Sequence, residues 1–137
     1  MYLLDTNVLS ELRKRQKNQG VLDFFIETEN HGFDCYISVI TLAEIQSGIY
    51  RLFNKNDIRQ ADNFQQWLEG INKEYQPYKL LFDEPCALSW AYLTASSPHN
   101  AIDKQIAATA LVHDLTLVTR NTKDFIDTGV RLINPFT

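Results

Sequence analysis

Only two cysteines occur in the 137 residues, Cys35 and Cys86. Both lie in apolar surroundings, without C-x-x-C spacing or a neighbouring histidine. They read as free buried thiols of a reducing compartment. A chain of this length buries a real core without disulfide or metal staples. Histidine is equally sparse. His31, His99 and His113 form no H-x-x-x-H pair, which excludes a zinc site of that kind, and they read as surface or loop residues. No apolar run approaches the ~20 residues that span a bilayer. The chain opens in a core strand rather than a leader, so a soluble, cytoplasmic protein with no membrane contact is expected. Phosphate loops of the G-x-x-x-x-G-K and G-x-G-x-x-G types are missing. No repeat, low-complexity tract or linker interrupts the chain, so one domain over residues 1–137 is expected. Positive charge is also short. A net charge of −4 argues against a general nucleic-acid binder. That argument weakens if the acids hold a divalent cation that offsets them.

What is present is an alternation of short apolar runs with amphipathic segments. Tyr2, Leu3 and Leu4 form a run of the kind that fills a sheet covered on both faces, and Asp5 ends it at once. Val8, Leu9 and Leu12 then share one helix face. This helix is expected to reach about Lys14 and to end in the cluster Arg13-Lys14-Arg15 with Lys17. Such cations suit a helix C-terminus; a phosphate-contacting patch is the alternative. A second helix is predicted to about Glu29, and a second strand over 35–39. Thr41-x-x-Glu44 reads as a capping box that opens a third helix. A fourth, over 58–74, completes a hairpin that departs from simple strand–helix alternation and offers a surface for a partner. A third strand is predicted over 78–82, followed by a helix capped by Asp83 with Pro85 in its first turn. The Ala-rich run 101–111 is the most helix-prone in the chain and suggests close packing on the sheet. A fourth strand over 115–119, a helical turn over 121–125 and a fifth strand over 130–133 complete the order. Helices between successive strands imply an α/β fold with a mostly parallel central sheet of four to five strands and helices on both faces.

Parallel strands share one carboxyl end, where open α/β sheets bind ligands. Asp5 follows the first strand. Glu44 stands in the first turn of the helix after the second. Asp103 lies in the first turns of the Ala-rich helix, and Asn121 or Asp124 follows the fourth strand. Each has a modest explanation as a helix cap or a dipole partner. Together, with no balancing Lys or Arg expected beside them, they would repel and raise one another's pKa. A divalent cation removes that conflict. An all-oxygen set points to Mg²⁺ or Mn²⁺ rather than zinc. Such a cluster suits phosphodiester hydrolysis, in which the metal activates water and stabilises the leaving oxyanion. Thr6, Ser38, Thr119 and Asn121 are small polar groups able to orient the water or a phosphate; strand-end and capping hydrogen bonds are the alternative. A phospho-aspartyl enzyme with Asp5 as nucleophile competes with this reading. Haloacid-dehalogenase-like enzymes usually carry a second Asp two residues on, where this chain has Asn7.

Four blocks also resemble a known family. They are Tyr2-Leu3-Leu4-Asp5-Thr6-Asn7-Val8-Leu9-Ser10-Glu11; Ile37-Ser38-Val39-Ile40-Thr41-Leu42-Ala43-Glu44-Ile45 with Gly48; Asp103 with Ile106-Ala107-Ala108-Thr109-Ala110; and Leu117-Val118-Thr119-Arg120-Asn121-Thr122-Lys123-Asp124-Phe125. The closing Ile133-Asn134-Pro135-Phe136 fits as well. In this order they are similar to the PIN-domain ribonucleases, and within them to the VapC and FitB-type toxins of bacterial toxin-antitoxin pairs. The resemblance implies a PIN-like three-layer α/β/α sandwich and an Mg²⁺-dependent endoribonuclease, with Mn²⁺ as an alternative ion. Asp5, Glu44 and Asp103 match the family's metal-site acids. Asp124 joins them as a catalytic candidate, with Asn121 the alternative for the fourth position. Thr6, Asn7, Thr119 and Asn121 are expected to support them, and Arg13, Lys14 and Arg120 to contact RNA. The resemblance further implies a homodimer, a VapB-like antitoxin, operator DNA bound only through that antitoxin, and structured RNA, often tRNA, as substrate. A module serving only complex assembly and regulation is the non-enzymatic alternative, and the intact acidic set argues against it.

Overall fold

The computed structural model describes residues 1–137. Five short strands, β1 (Tyr2–Leu4), β2 (Cys35–Ser38), β3 (Lys79–Leu80), β4 (Thr116–Val118) and β5 (Leu132–Ile133), form one sheet in the order β3-β2-β1-β4-β5. Every pairing is parallel. β1 is therefore the central strand, with β2 and β4 on either side.

Six helices surround the sheet: α1 (Thr6–Leu12), α2 (Gln19–Asn30), α3 (Val39–Asn54), α4 (Ile58–Glu74), α5 (Glu84–Ser96) and α6 (Ala101–Val112). Side chains alternate between sheet faces along a strand, and this divides the core. Leu3 and Leu117 point to the layer containing Leu93 of α5 and Ile106, Ala107 and Ala110 of α6. Leu4 and Val118 point to the opposite layer, with Val8 and Leu9 of α1, Val21 of α2 and Ile71 of α4. The result is three layers. The fully buried Leu3 and Leu4 each contribute roughly 1.5–3 kcal/mol of burial. Ala107, Ala108 and Ala110 are fully buried, so the small side chains of α6 bring its backbone close to the sheet. The α3–α4 hairpin has its own small core of Ile49, Ala61 and Leu68.

Three local expectations are corrected. α3 begins at Val39, and its cap is Ser38, whose hydroxyl accepts from the Ile40 N–H at 3.0 Å. Thr41 is not an N-cap but a buried residue inside the first turn, its hydroxyl without a hydrogen-bond partner. Glu44, three residues further, stands in the second turn rather than the first. α1 ends at Leu12 instead of Lys14. The turn after β4 is longer than expected, a 3-10 segment over Thr122–Thr128.

The loop before α6 is held from within. Lys104 is buried, and its ammonium donates to the carbonyl oxygens of Ser97, at 2.6 Å, and His99. Asn100 takes a left-handed backbone conformation (φ 57°) that lets α6 start there, a region Asn enters more readily than bulkier residues. These contacts set the position of Asp103 in the first turn of α6. No helix is long and apolar enough to cross a membrane.

Candidate active site

Asp5 is the first residue beyond the central strand. Its N–H donates to the Val118 carbonyl at 2.9 Å, so the sheet itself fixes the start of the turn. The side chain is 5% exposed. Oδ1 accepts from the Thr6 N–H at 2.8 Å. Oδ2 accepts from the Thr119 hydroxyl at 2.7 Å and from the Asn7 amide at 3.2 Å. Asp5 is thus both the cap of α1 and the centre of a network. Ionised, it offers about four lone-pair sites, and three are used. The remaining capacity is on Oδ1.

Asn7 and Thr119 tie α1 to the end of β4. The Asn7 amide nitrogen donates to Asp5 and to Thr119 Oγ1 (3.3 Å), while its carbonyl oxygen accepts from the Arg120 N–H at 3.1 Å. Only this amide orientation satisfies all three partners, which assigns it. Thr119 is fully buried; besides donating to Asp5 it accepts from the Asn121 N–H at 3.1 Å. One donor and two acceptor sites exhaust a hydroxyl.

The other acids approach from separate elements. Glu44 on α3 accepts from the Thr6 hydroxyl at 3.0 Å. Burial pushes its carboxyl up, and the charges of Asp5 and Asp103 add to the rise, against the Thr6 bond. Asp103 on α6 is pushed up to about 6, first by burial and then by Asp5 and Asp124. Asp5 is raised by burial, partly offset by its three hydrogen bonds. The fourth charge acting on this rim is that of Asp124, from the 3-10 segment. Asn121 is exposed; with Arg120 and Asp124 it borders one polar depression. The chain's salt bridges, Lys14–Glu11 and Arg131–Asp114, leave all four acids without a cationic partner.

No three His, Cys, Asp or Glu side chains stand close enough together to hold an ion by themselves. Mg²⁺ does not require this, since it keeps several waters and is held by one or two carboxylates plus substrate phosphate oxygens. An open, all-oxygen, uncompensated rim fits that ion.

Two clefts meet at Glu44. One, about 190 Å³, lies between α1, α3 and α4 and is bordered by Thr6, Ser10, Arg13 and Phe64. The other, about 450 Å³, lies between α3 and α6 and is bordered by Ser47, Arg51, Ile102 and Gln105. Of the three expected RNA contacts only Arg13 lines either cleft, and its guanidinium stacks on the Phe64 ring at 4.1 Å. Lys14 is turned to Glu11 at 2.8 Å, and Arg120 packs over Phe136 at 4.9 Å. Arg51 and Gln105 were not among the sequence candidates. The available signal is helical spacing, since Ser47 and Arg51 follow Glu44 at intervals of three and four residues.

A family model described as "PIN domain" matches residues 2–130. The chain belongs to the PIN-domain family. It is 37% identical to the Toxin FitB of Neisseria gonorrhoeae, with 99% of each chain covered. It is 34% identical to a VapC ribonuclease of Sinorhizobium fredii, over 99% of this chain and 98% of that one. The crystal structure of FitAcB from N. gonorrhoeae superposes with a TM-score of 0.82 at 36% identity, covering 98% of each chain. A structure of FitAB bound to a DNA fragment gives 0.81 at 34%, covering 100% of this chain and 96% of that one. The five-stranded parallel sheet and its two helical layers are thus a PIN fold, as the four sequence blocks implied. In this PIN domain Asp5 stands at the carboxyl end of the central strand, and Glu44, Asp103 and Asp124 come from α3, α6 and the 3-10 segment.

Proposed function

We propose that this PIN domain is the toxin of a toxin-antitoxin pair, an Mg²⁺-dependent endoribonuclease that hydrolyses phosphodiester bonds in structured RNA, tRNA foremost. The observation that carries the reading is the set of four acids from four elements, none paired with a cation, of which Asp5, Glu44 and Asp103 are raised by burial and by neighbouring acids. A protein keeps such a set against its own stability when the charge is needed for binding. The ribonuclease name of one relative and the toxin name of another support the same reading.

In this proposal Asp5, Glu44 and Asp103 would hold the ion, directly or through its bound waters, and Asp124 completes the acidic rim. Bound there, Mg²⁺ or Mn²⁺ lowers the pKa of water and stabilises charge on the phosphate and leaving oxygen. The chain's own part is positioning. Thr119, Asn7 and the Thr6 N–H fix both oxygens of Asp5, so its carboxylate is oriented before substrate arrives. The Thr6 hydroxyl holds Glu44 to the same edge. Burial of Asp5 and Thr119 excludes bulk water from the inner side of the site.

The partner proposals rest on relatives. FitAB is bound to DNA in one related structure. We take this chain to be neutralised by a VapB-like antitoxin that carries the operator contact. A homodimer is supported by Leu88 and Tyr92, which stand one turn apart on α5 and are 65% and 76% exposed. Cytoplasmic RNA is the setting this activity requires.

The test is incubation of antitoxin-free protein with total tRNA and Mg²⁺, beside an Asp5→Ala protein. Cleavage is expected from the parent alone and is expected to stop with EDTA. Cleavage equal in both proteins, or indifferent to EDTA, sinks the assignment.

A further inference from the structure

We propose that the cleft between α3 and α6 is the subsite for a nucleotide adjoining the scissile phosphate, with Arg51 as its phosphate-binding residue and Gln105 as its base-reading residue. This rests on the endoribonuclease reading above and extends the same site.

The cleft is continuous with the acids because Glu44 is one of its walls. Its volume of about 450 Å³ lies in the range of small-ligand sites, ~300–1,000 Å³, which suits one unstacked nucleotide rather than a duplex. Arg51 is the one cationic side chain on its lining. It is exposed, has no carboxylate partner, and donates only to the Ser47 hydroxyl at 3.0 Å. That bond turns the guanidinium back along the helix to Ser47, three residues or about 4.5 Å of rise from Glu44. A planar guanidinium with free donors, one turn from the acids, is matched to a phosphate through paired N–H bonds.

The other two walls suit the rest of a nucleotide. Ile40 and Ile102 supply apolar surface on opposite sides, from α3 and α6. Single-stranded RNA is recognised by bases splayed from the stack and read on their edges. Gln105 carries both a donor and an acceptor for such an edge. It lies three residues beyond Ile102, on the same face of α6, and both side chains line the cleft.

The binding experiment uses the full chain with Asp5→Asn, so that RNA is held and not cut, and fluorescently labelled tRNA as probe. Anisotropy is read across a salt series for this protein and for versions adding Arg51→Ala, Arg51→Lys or Gln105→Ala. Arg51→Ala is expected to weaken binding about tenfold and to lower the slope of log Kd against log salt by about 0.7, the share of one phosphate contact on single strands. Arg51→Lys is expected to recover most of that slope, because the charge returns. Gln105→Ala should leave the slope alone and, with Asp5 intact, broaden base preference at one position beside the cut. Melting temperatures should match throughout, since both side chains sit on the rim. Unchanged Kd and salt slope in Arg51→Ala, beside a parent that cuts RNA, overturn the subsite alone. A parent that neither binds nor cuts RNA overturns the endoribonuclease reading and the subsite with it.

Discussion

Replacing Asp103 with Asn should make the metal-free protein more stable at neutral pH while removing its activity. In the fold the Asp103 carboxyl is raised from its ordinary 3.8 to about 6. A raised acid is one whose folded state holds the proton more tightly than the unfolded chain does. Its favourable contribution is complete below about pH 4 and is lost as pH rises through about 6. A shift of that size corresponds to about 3 kcal/mol if nothing screens it. Asp103 is half-buried, and solvent on its open side reduces this to about 1 kcal/mol. Asn cannot ionise and keeps the low-pH arrangement at every pH. In excess chelator at pH 7.5, Asp103→Asn should therefore melt about 3 °C above the parent. The gap should close as the buffer approaches pH 4. Mg²⁺ should stabilise the parent more than the variant, because the cation relieves the repulsion that Asn has already removed. The assay is a thermal melt followed by circular dichroism over that pH range, with and without chelator. An Asp103→Asn protein that melts with or below the parent at pH 7.5, or a gap independent of pH, would refute the claim that burial and the neighbouring acids make the ionised Asp103 a strain on the fold.

Two further substitutions probe what holds the site and what holds the last residues of the chain. Thr119→Val keeps the shape but deletes the 2.7 Å donor to buried Asp5 and the acceptor for the Asn121 N–H. It should cost about 1–3 kcal/mol in a urea titration, and a loss near zero would mean that Asp5 is positioned by other contacts. Gly20→Ala places a Cβ 2.1 Å from the Pro135 carbonyl oxygen, a backbone atom that must move. It should cost about 1–3 kcal/mol and speed hydrogen exchange over the last residues, which Asn18 now holds through Thr137 at 3.1 and 3.2 Å.

Asp5 was legible because a buried strand and a helix meet at it. Tyr2-Leu3-Leu4 is apolar at every position, as a doubly covered strand must be, and the acid that interrupts it can stand only at the strand's exit. The Ala-rich run before β4 announced close packing in the same way. The start of α3 was less legible, because Ser38-x-x-Thr41 and Thr41-x-x-Glu44 are overlapping capping frames. Val39 and Ile40 are β-branched and suit a strand as well as a helix. What decides between them is the sheet, for β2 pairs with β3 only as far as Ser38, opposite Leu80. Arg13 looked like a solvated helix end, and its stacking on Phe64 depends on how the α3–α4 hairpin folds back over α1.

By itself the sequence determined the alternation of elements, the parallel sheet and the identity of the acids, because periodicity and strand-end chemistry are local. Only the tertiary structure decided which partners those acids have. Thr6 meets Glu44 across 38 residues, and Thr119 meets Asp5 across 114. It also decided that no cation pairs with them, and that Arg51 and Gln105, from helices far apart in the chain, border one cleft beside Glu44. Hydrogen bonds and charge repulsion act over a few ångströms of space, and chain separation carries no record of that distance until the sheet sets the strands side by side.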